Sequence, residues 1–284
     1  MQRISPPRRQ LHLAQILRDL RRQRGWTLDD AALGLRSTRR PWSRAKLSRI
    51  ETAEALPAYG DVADLLDAYE ADEQIRQMCS QLVRQARSTP WWQPFGDVLG
   101  EYVALETEAV KLRSWQPFLI PGLFQTPEYA RAVFTAGLSG QAEPKIEHRV
   151  RARIARQRLL DCDNPIRFDV VVGEQALRRP VCGRQAMAEQ LARLMFMLTW
   201  PHVTVRVLED RVGTHPGFSG PFVLLSLPGD ERHVFFETPP NEIITNEVGM
   251  VHDYERRFDG LAAKALTPEK SVDFIHRTAR ELGC

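Results

Sequence analysis

Ser43 is followed by Arg44, Ala45, Lys46, Ser48 and Arg49, with Leu47 and Ile50 set three apart among them. On a helix this spacing turns the two apolar residues to one side and leaves cations and small polar groups on the other, crowded at the N-terminal end. The chemistry open to such a face is recognition of a polyanion. Helix N-terminal amides and the helix dipole favour phosphate. An arginine forks onto guanine O6 and N7, a contact worth about 1–3 kcal/mol of discrimination. A short helix offered end-on enters a major groove. Arg36, Arg39 and Arg40 extend the cationic run backwards, so that RSTRRPWSRAKLSRIE, residues 36–51, holds six bases and one acid. Two readings of 36–42 stand side by side: a surface turn with diffuse attraction to phosphate, or a turn whose arginines touch phosphate directly.

The charge of the whole chain follows the same division. Residues 1–56 carry 13 Arg and Lys against 5 Asp and Glu, a net of +8, while the remainder carries 26 against 31, so the overall +3 conceals an N-terminal segment suited to a polyanionic partner. Only five of the 39 bases are lysine. That preference suits forked contacts, although a GC-rich coding sequence produces the same bias.

Four segments share the helical pattern i, i+3, i+4, i+7: Leu13/Ile16/Leu17/Leu20, Leu28/Ala31/Ala32/Leu35, Val62/Leu65/Leu66/Tyr69 and Ile75/Met78/Cys79/Leu82. With the 43–51 helix they predict a five-helix, all-α module over 11–86. Gly25 ends the first helix, Thr27 with Asp30 opens the second as a capping box, Ser43 caps the third, and Gly60-Asp61 opens the fourth. RSTPWWQPF (87–95) marks a Trp/Pro linker, placed at 87–97. From 98 to 284 helical patterns (98–115, 127–138, 143–160, 184–199, 246–264, 268–281) alternate with strand candidates Ile166–Val172, Val203–Leu208, Pro221–Leu227 and His233–Glu237. The last two flank an LPGDER hairpin loop. The expectation is a multidomain chain, a helical module followed by an α+β domain with a small, mainly antiparallel sheet.

On these residues the N-terminal module, LAQILRDLRRQRGWTLDDAA followed by SRAKLSRIE, resembles the helix-turn-helix of Xre-type (lambda-repressor-like) regulators. The resemblance implies an Arg21–Glu51 pair tying helix one to helix three. It also implies phosphate contacts from Thr27 and Ser43, and base-edge contacts from Arg44, Ala45 and Arg49. With Lys46 and Ser48 on the exposed surface and Arg36, Arg39 and Arg40 in the turn, these make up the expected DNA-binding set. The link GLRSTRRPW is longer by roughly half a dozen residues than the family's usual turn of about 3–4 residues. The later motifs PGLFQTPEYARA (121–132), R-x-x-RQ (153–157), E-x-x-L-R-R (174–179) and GTHPGFSGPF (214–222) are similar to the antitoxin-like domain of unknown function of actinobacterial, WhiJ-type regulators. That similarity implies a partner or effector domain, often with a small protein encoded by a neighbouring gene. The partners expected are double-stranded DNA, a second copy of the chain and such a protein.

Catalysis finds little footing. The seven His are dispersed without H-x-x-x-H or H-E-x-x-H spacing, and G-x-S-x-G is absent. Cys79, Cys162, Cys182 and Cys284 form no C-x-x-C pair, so no metal site, disulfide framework or cofactor is expected. No apolar run suits a membrane span or a signal peptide, and a cytoplasmic location is expected. Trp91, Trp92, Tyr102, Trp115, Arg153, Gln157 and Glu174 either wall an effector pocket or serve as domain-joint packing and Arg–Glu ties between helix and sheet. Glu237, at a strand end, belongs to the same two readings.

Overall fold

The computed structural model describes residues 6–87, 91–96, 100–138, 140–238 and 241–282. Contacts divide the chain into two compact units, Ile4–Gln93 and one drawn essentially from Pro94–Cys284.

The first unit is helical: α1 (Pro6–Gln23), α2 (Leu28–Gly34), α3 (Arg44–Glu51), α4 (Tyr59–Ala68) and α5 (Glu73–Ala86). Gly25 stops α1 at φ +70°, a left-handed conformation that favours glycine. Thr27 caps α2 with its hydroxyl, and Asp30 returns its carboxylate to the Thr27 amide at 2.9 Å. Donation to the carboxylate from the Thr27 hydroxyl and then from the Thr27 amide holds the Asp30 carboxyl below its ordinary pKa. The Ser43 hydroxyl accepts from the Lys46 amide at 3.2 Å and starts α3. α4 begins earlier than Gly60-Asp61 suggests. Ala58 is its cap, and Asp61, one turn in, accepts the Ala58 amide at 3.2 Å. The core gathers Leu13, Leu17, Leu35, Leu47, Ile50 and Leu65, each at most 2% exposed, and each buried side chain of this size stabilises by about 1.5–3 kcal/mol. On α5 the buried stripe runs through Cys79, Leu82 and Val83. Met78, placed on the core face by the periodicity, is instead exposed. Burial pushes the Cys79 thiol up to about 11.

The second unit is α+β. It contains α6 (Glu101–Glu108), β1 (Lys111–Gln116), α7 (Pro127–Gly137), α8 (Glu143–Arg156), β2 (Arg167–Gly173), α9 (Glu174–Arg178) and α10 (Arg184–Met197). These are followed by β3 (Val203–Leu208), β4 (Phe222–Ser226), β5 (Arg232–Thr238), β6 (Asn241–Thr245), α11 (Val248–Lys264) and α12 (Pro268–Leu282). The six strands lie in the order β3-β2-β1-β4-β5-β6. β1–β2 and β2–β3 are parallel, while β1–β4, β4–β5 and β5–β6 are antiparallel, so the sheet is mixed and mainly antiparallel.

Two strands depart from the sequence reading, and α9 is a short helix it did not name. The helix expected over 98–115 ends at Glu108, and Lys111–Gln116 becomes β1, in the middle of the sheet. KLRSWQ breaks the polar–apolar alternation of a simple strand, because Leu112 and Trp115 turn to opposite faces of the sheet. Its charges are met across the sheet and by α11: Lys111 pairs with Asp169 at 2.8 Å and Arg113 with Glu255 at 2.7 Å. β6 was not anticipated at all; NEIIT is a short edge strand with only Ile243 and Ile244 as apolar signal.

Alternation gives the sheet two faces. Trp115, Val171, Leu224 and Val234 pack with Val251, Phe258 and Leu261 of α11. The Trp115 indole donates to the Gly217 carbonyl at 2.9 Å, and a Cβ on Gly217 would sit 2.5 Å from Trp115 Nε1. Ser114, Gln116 and Phe235 belong to the other face, where α6, α7 and α8 border a partly open cavity of about 210 Å³.

Candidate nucleic-acid interface

α3 is held at its C-terminal end by a buried pair. Arg21 Nε and Nη2 each donate to the Glu51 carboxylate at 2.7 Å, and Arg21 Nη1 donates to the Trp26 carbonyl at 2.6 Å. Arg21 is 9% and Glu51 5% exposed. The hydrogen bond to Glu51 raises the Arg21 pKa against the opposing effect of burial. Arg18 also donates to the Glu51 backbone carbonyl.

With Leu47, Ile50 and Glu51 facing inward, Arg44, Ala45 and Arg49 are exposed and Ser48 half-buried. Arg44 Nη1 lies 3.2 Å from Asp29 Oδ2, both side chains largely in solvent. Such an exposed pair is worth about 0–1 kcal/mol and gives way to a stronger anion. The side chains of Arg49, Arg36 and Arg39 are exposed with no hydrogen bond or ion pair to any described residue. Thr27 and Ser43, exposed, use their hydroxyls as helix caps, and Thr27 Oγ1 also donates to Asp30 at 2.7 Å.

Lys46 and Arg40 sit differently. Lys46 Nζ is 2.8 Å from Asp61 Oδ1 and 4.2 Å from the centre of the Trp42 ring. Arg40 Nη1 donates to the Gly60 carbonyl at 3.1 Å and to both Asp64 oxygens at 3.0 and 3.1 Å. Trp42 Nε1 reaches Asp64 at 3.4 Å. The long α2–α3 connection, a short 3-10 turn at Leu35–Ser37 followed by an irregular bend over 38–43, is therefore docked on α4. Asp29, Asp61, Asp64 and Trp42 are the residues the sequence reading passed over. Their signal was available as acids set opposite the bases, but only the fold brings them together.

The seven residues considered for an effector pocket do not converge. Trp91 and Trp92, in the first unit, pack edge-on with ring centres 5.7 Å apart. Trp115 belongs to the sheet face under α11, away from the cavity. Glu174 takes Arg178 at 2.6 Å and the Asp210 amide at 3.1 Å. Buried Gln157 donates to the Gln125 carbonyl and accepts from Arg193 at 3.1 Å. Only Tyr102 and Arg153 line the cavity. The Glu237 side chain lies outside the described residues. The lining also includes Glu106, fully buried, which takes two bonds from Arg156 at 2.8 and 2.7 Å and one from the Tyr102 hydroxyl at 2.8 Å. Arg153 donates to Gln125 at 2.9 Å and lies 4.1 Å over the Phe134 ring. Among the described residues no His, Cys, Asp and Glu cluster is placed to hold a metal ion. No helix there is long and apolar enough to cross a membrane.

Residues 12–77 match the family described as a helix-turn-helix domain, which takes in most of α1, all of α2 to α4 and the start of α5, and supports a DNA-binding regulator. Residues 99–277 match the family described as "Domain of unknown function (DUF5753)", and the chain belongs to that family. No curated protein and no solved structure matches it.

Proposed function

We propose that this protein is a sequence-specific transcriptional regulator of the Xre type. In this reading α3 enters the major groove, and the second unit mediates dimerisation and senses a partner or effector. The observation that carries it is the division of α3 into an inward register (Leu47, Ile50, Glu51), fixed to α1 by the Arg21 pair, and an outward register (Arg44, Ala45, Ser48, Arg49) left for bases and phosphates. A homodimer would space two copies of α3 by about 34 Å, one turn of duplex. The chain is then a cytoplasmic, non-enzymatic protein, grouped with the antitoxin-like WhiJ-type regulators, and a small protein from a neighbouring gene is its further partner.

The test is a shift assay with the full chain on the promoter of its own gene against unrelated duplex at physiological salt. Preference for the promoter, shifted as a dimer, supports the reading. Equal affinity for any duplex refutes it.

A further inference from the structure

The spacing Arg149, Arg153, Arg156 places three guanidinium groups on one face of α8, at i, i+4 and i+7, and all three line the cavity under the helix. Turning three arginines toward a sheet is costly unless each finds an anion or an acceptor. Glu106 answers Arg156 with two bonds, and the neutral Gln125 amide oxygen answers Arg153. Arg149, half-buried, forms no hydrogen bond or ion pair with any described residue. The ionisable side chains of the lining are these three arginines with Glu106 and Glu242, a net of +1 that a single negative charge neutralises. The remaining walls mix aliphatic side chains such as Val103, Ile120 and Leu123 with four aromatic ones, Tyr102, Phe134, Phe168 and Phe235. Volume sets the size of an occupant. A cavity of about 150 Å³ takes up benzene, and this one, at about 210 Å³, has room for a ring plus a short carboxylate arm.

We propose that the cavity binds a small aromatic monocarboxylate, of the size of benzoate or phenylacetate, with the ring among the apolar walls and the carboxylate received by Arg149. The inference gives a ligand class to the sensing role of the second unit. It rests on that reading only for its regulatory consequence, because the site belongs to the second unit alone.

Calorimetric titration of the full chain with phenylacetate, without DNA, tests it. One site per chain is expected, with phenylacetamide at least tenfold weaker because it brings no charge. Arg149→Met is expected to weaken phenylacetate at least tenfold, since a charge-assisted bond in such a setting is worth about 1.5–3 kcal/mol. The variant should keep the wild-type melting temperature, as no described contact is lost. Val133→Phe, adding a ring to the cavity wall, is expected to abolish binding, with circular dichroism reporting an intact fold. Equal affinity for acid and amide, equal affinity for inorganic phosphate, an unaffected Arg149→Met, or no heat from either acid at about 1 mM would each overturn the proposal. Failure to shift promoter DNA leaves the titration untouched, so the two readings fail separately.

Discussion

Removing the Glu51 carboxylate should be the most damaging single change in the first unit. In Glu51→Ala, Arg21 remains buried with only the Trp26 carbonyl at 2.6 Å and loses both 2.7 Å bonds. Two effects add. The guanidinium keeps its charge in a site from which water is largely excluded, and α3 loses its tie to α1. Breaking one side of a buried ion pair costs about 3–5 kcal/mol. A unit the size of Ile4–Gln93 has a total stability of about 5–13 kcal/mol, taking the usual range per residue. The variant should therefore lose between a quarter and nearly all of it. In Arg21→Met with Glu51→Met no charge is left behind and the volume is kept, so the cost should fall well below that of Glu51→Ala. Urea titration followed by circular dichroism, with the transition of each unit fitted separately, measures both, since one two-state fit does not suit a two-unit chain. A loss under about 1 kcal/mol in Glu51→Ala, which is the scale of a solvated pair, would refute the reasoning. So would a double variant as unstable as the single one.

Three further outcomes follow from the geometry. Arg49→Ala should relax sequence preference, whereas Arg39→Ala should weaken every duplex alike and lower the salt slope by about 0.9. Lys46→Ala, already paired with Asp61, should leave that slope unchanged; fluorescence anisotropy across salt concentrations separates the three. Gly217→Ala drives a methyl against the Trp115 indole and toward Leu261, and should cost about 1–3 kcal/mol in thermal melts. His215, whose Nδ1 accepts the Gly217 amide at 3.1 Å, has its pKa lowered by burial and by Lys264. The unfolded chain therefore binds the proton first. The contribution of this group to stability is whole above the unfolded value of about 6.5 and declines as pH falls through the folded one. Melting temperatures between about pH 7.5 and about pH 5 should drop less in His215→Gln than in the parent chain.

The helical unit was the most legible part of the chain because each signal was local. Apolar residues recurred at helical spacing, and Gly25, Thr27 and Ser43 punctuated them within a few positions. Strands β2 to β5 were legible for the same reason, as short runs of β-branched, aromatic and leucine residues between turns. β1 was hidden by its surroundings. Lys111 and Arg113 made it read as a helix surface, and only Asp169 and Glu255, far away in sequence, make a central strand of it. The site divided in the same way. The face of α3 could be read from spacing, but the partners of Arg40 and Lys46 come from α4, which the sequence cannot place against the turn. The cavity was the least legible part. Its arginines stand at helical spacing on α8, yet the acid that balances one of them belongs to α6, and Trp115, the most prominent aromatic in the sequence, faces the opposite side of the sheet.

The docking of the α2–α3 connection onto α4 leaves most outward side chains of α3 out of the ties that hold the unit together. Lys46 and Glu51 anchor its two ends, Leu47 and Ile50 seat it, and Ala45, Ser48 and Arg49 make none of the ties described. Within eight residues the helix thus interleaves a structural alphabet with a reading alphabet. Positions 45, 48 and 49 can be exchanged while the platform stays the same, so under the proposed function one scaffold would be re-addressed to new operators without being refolded.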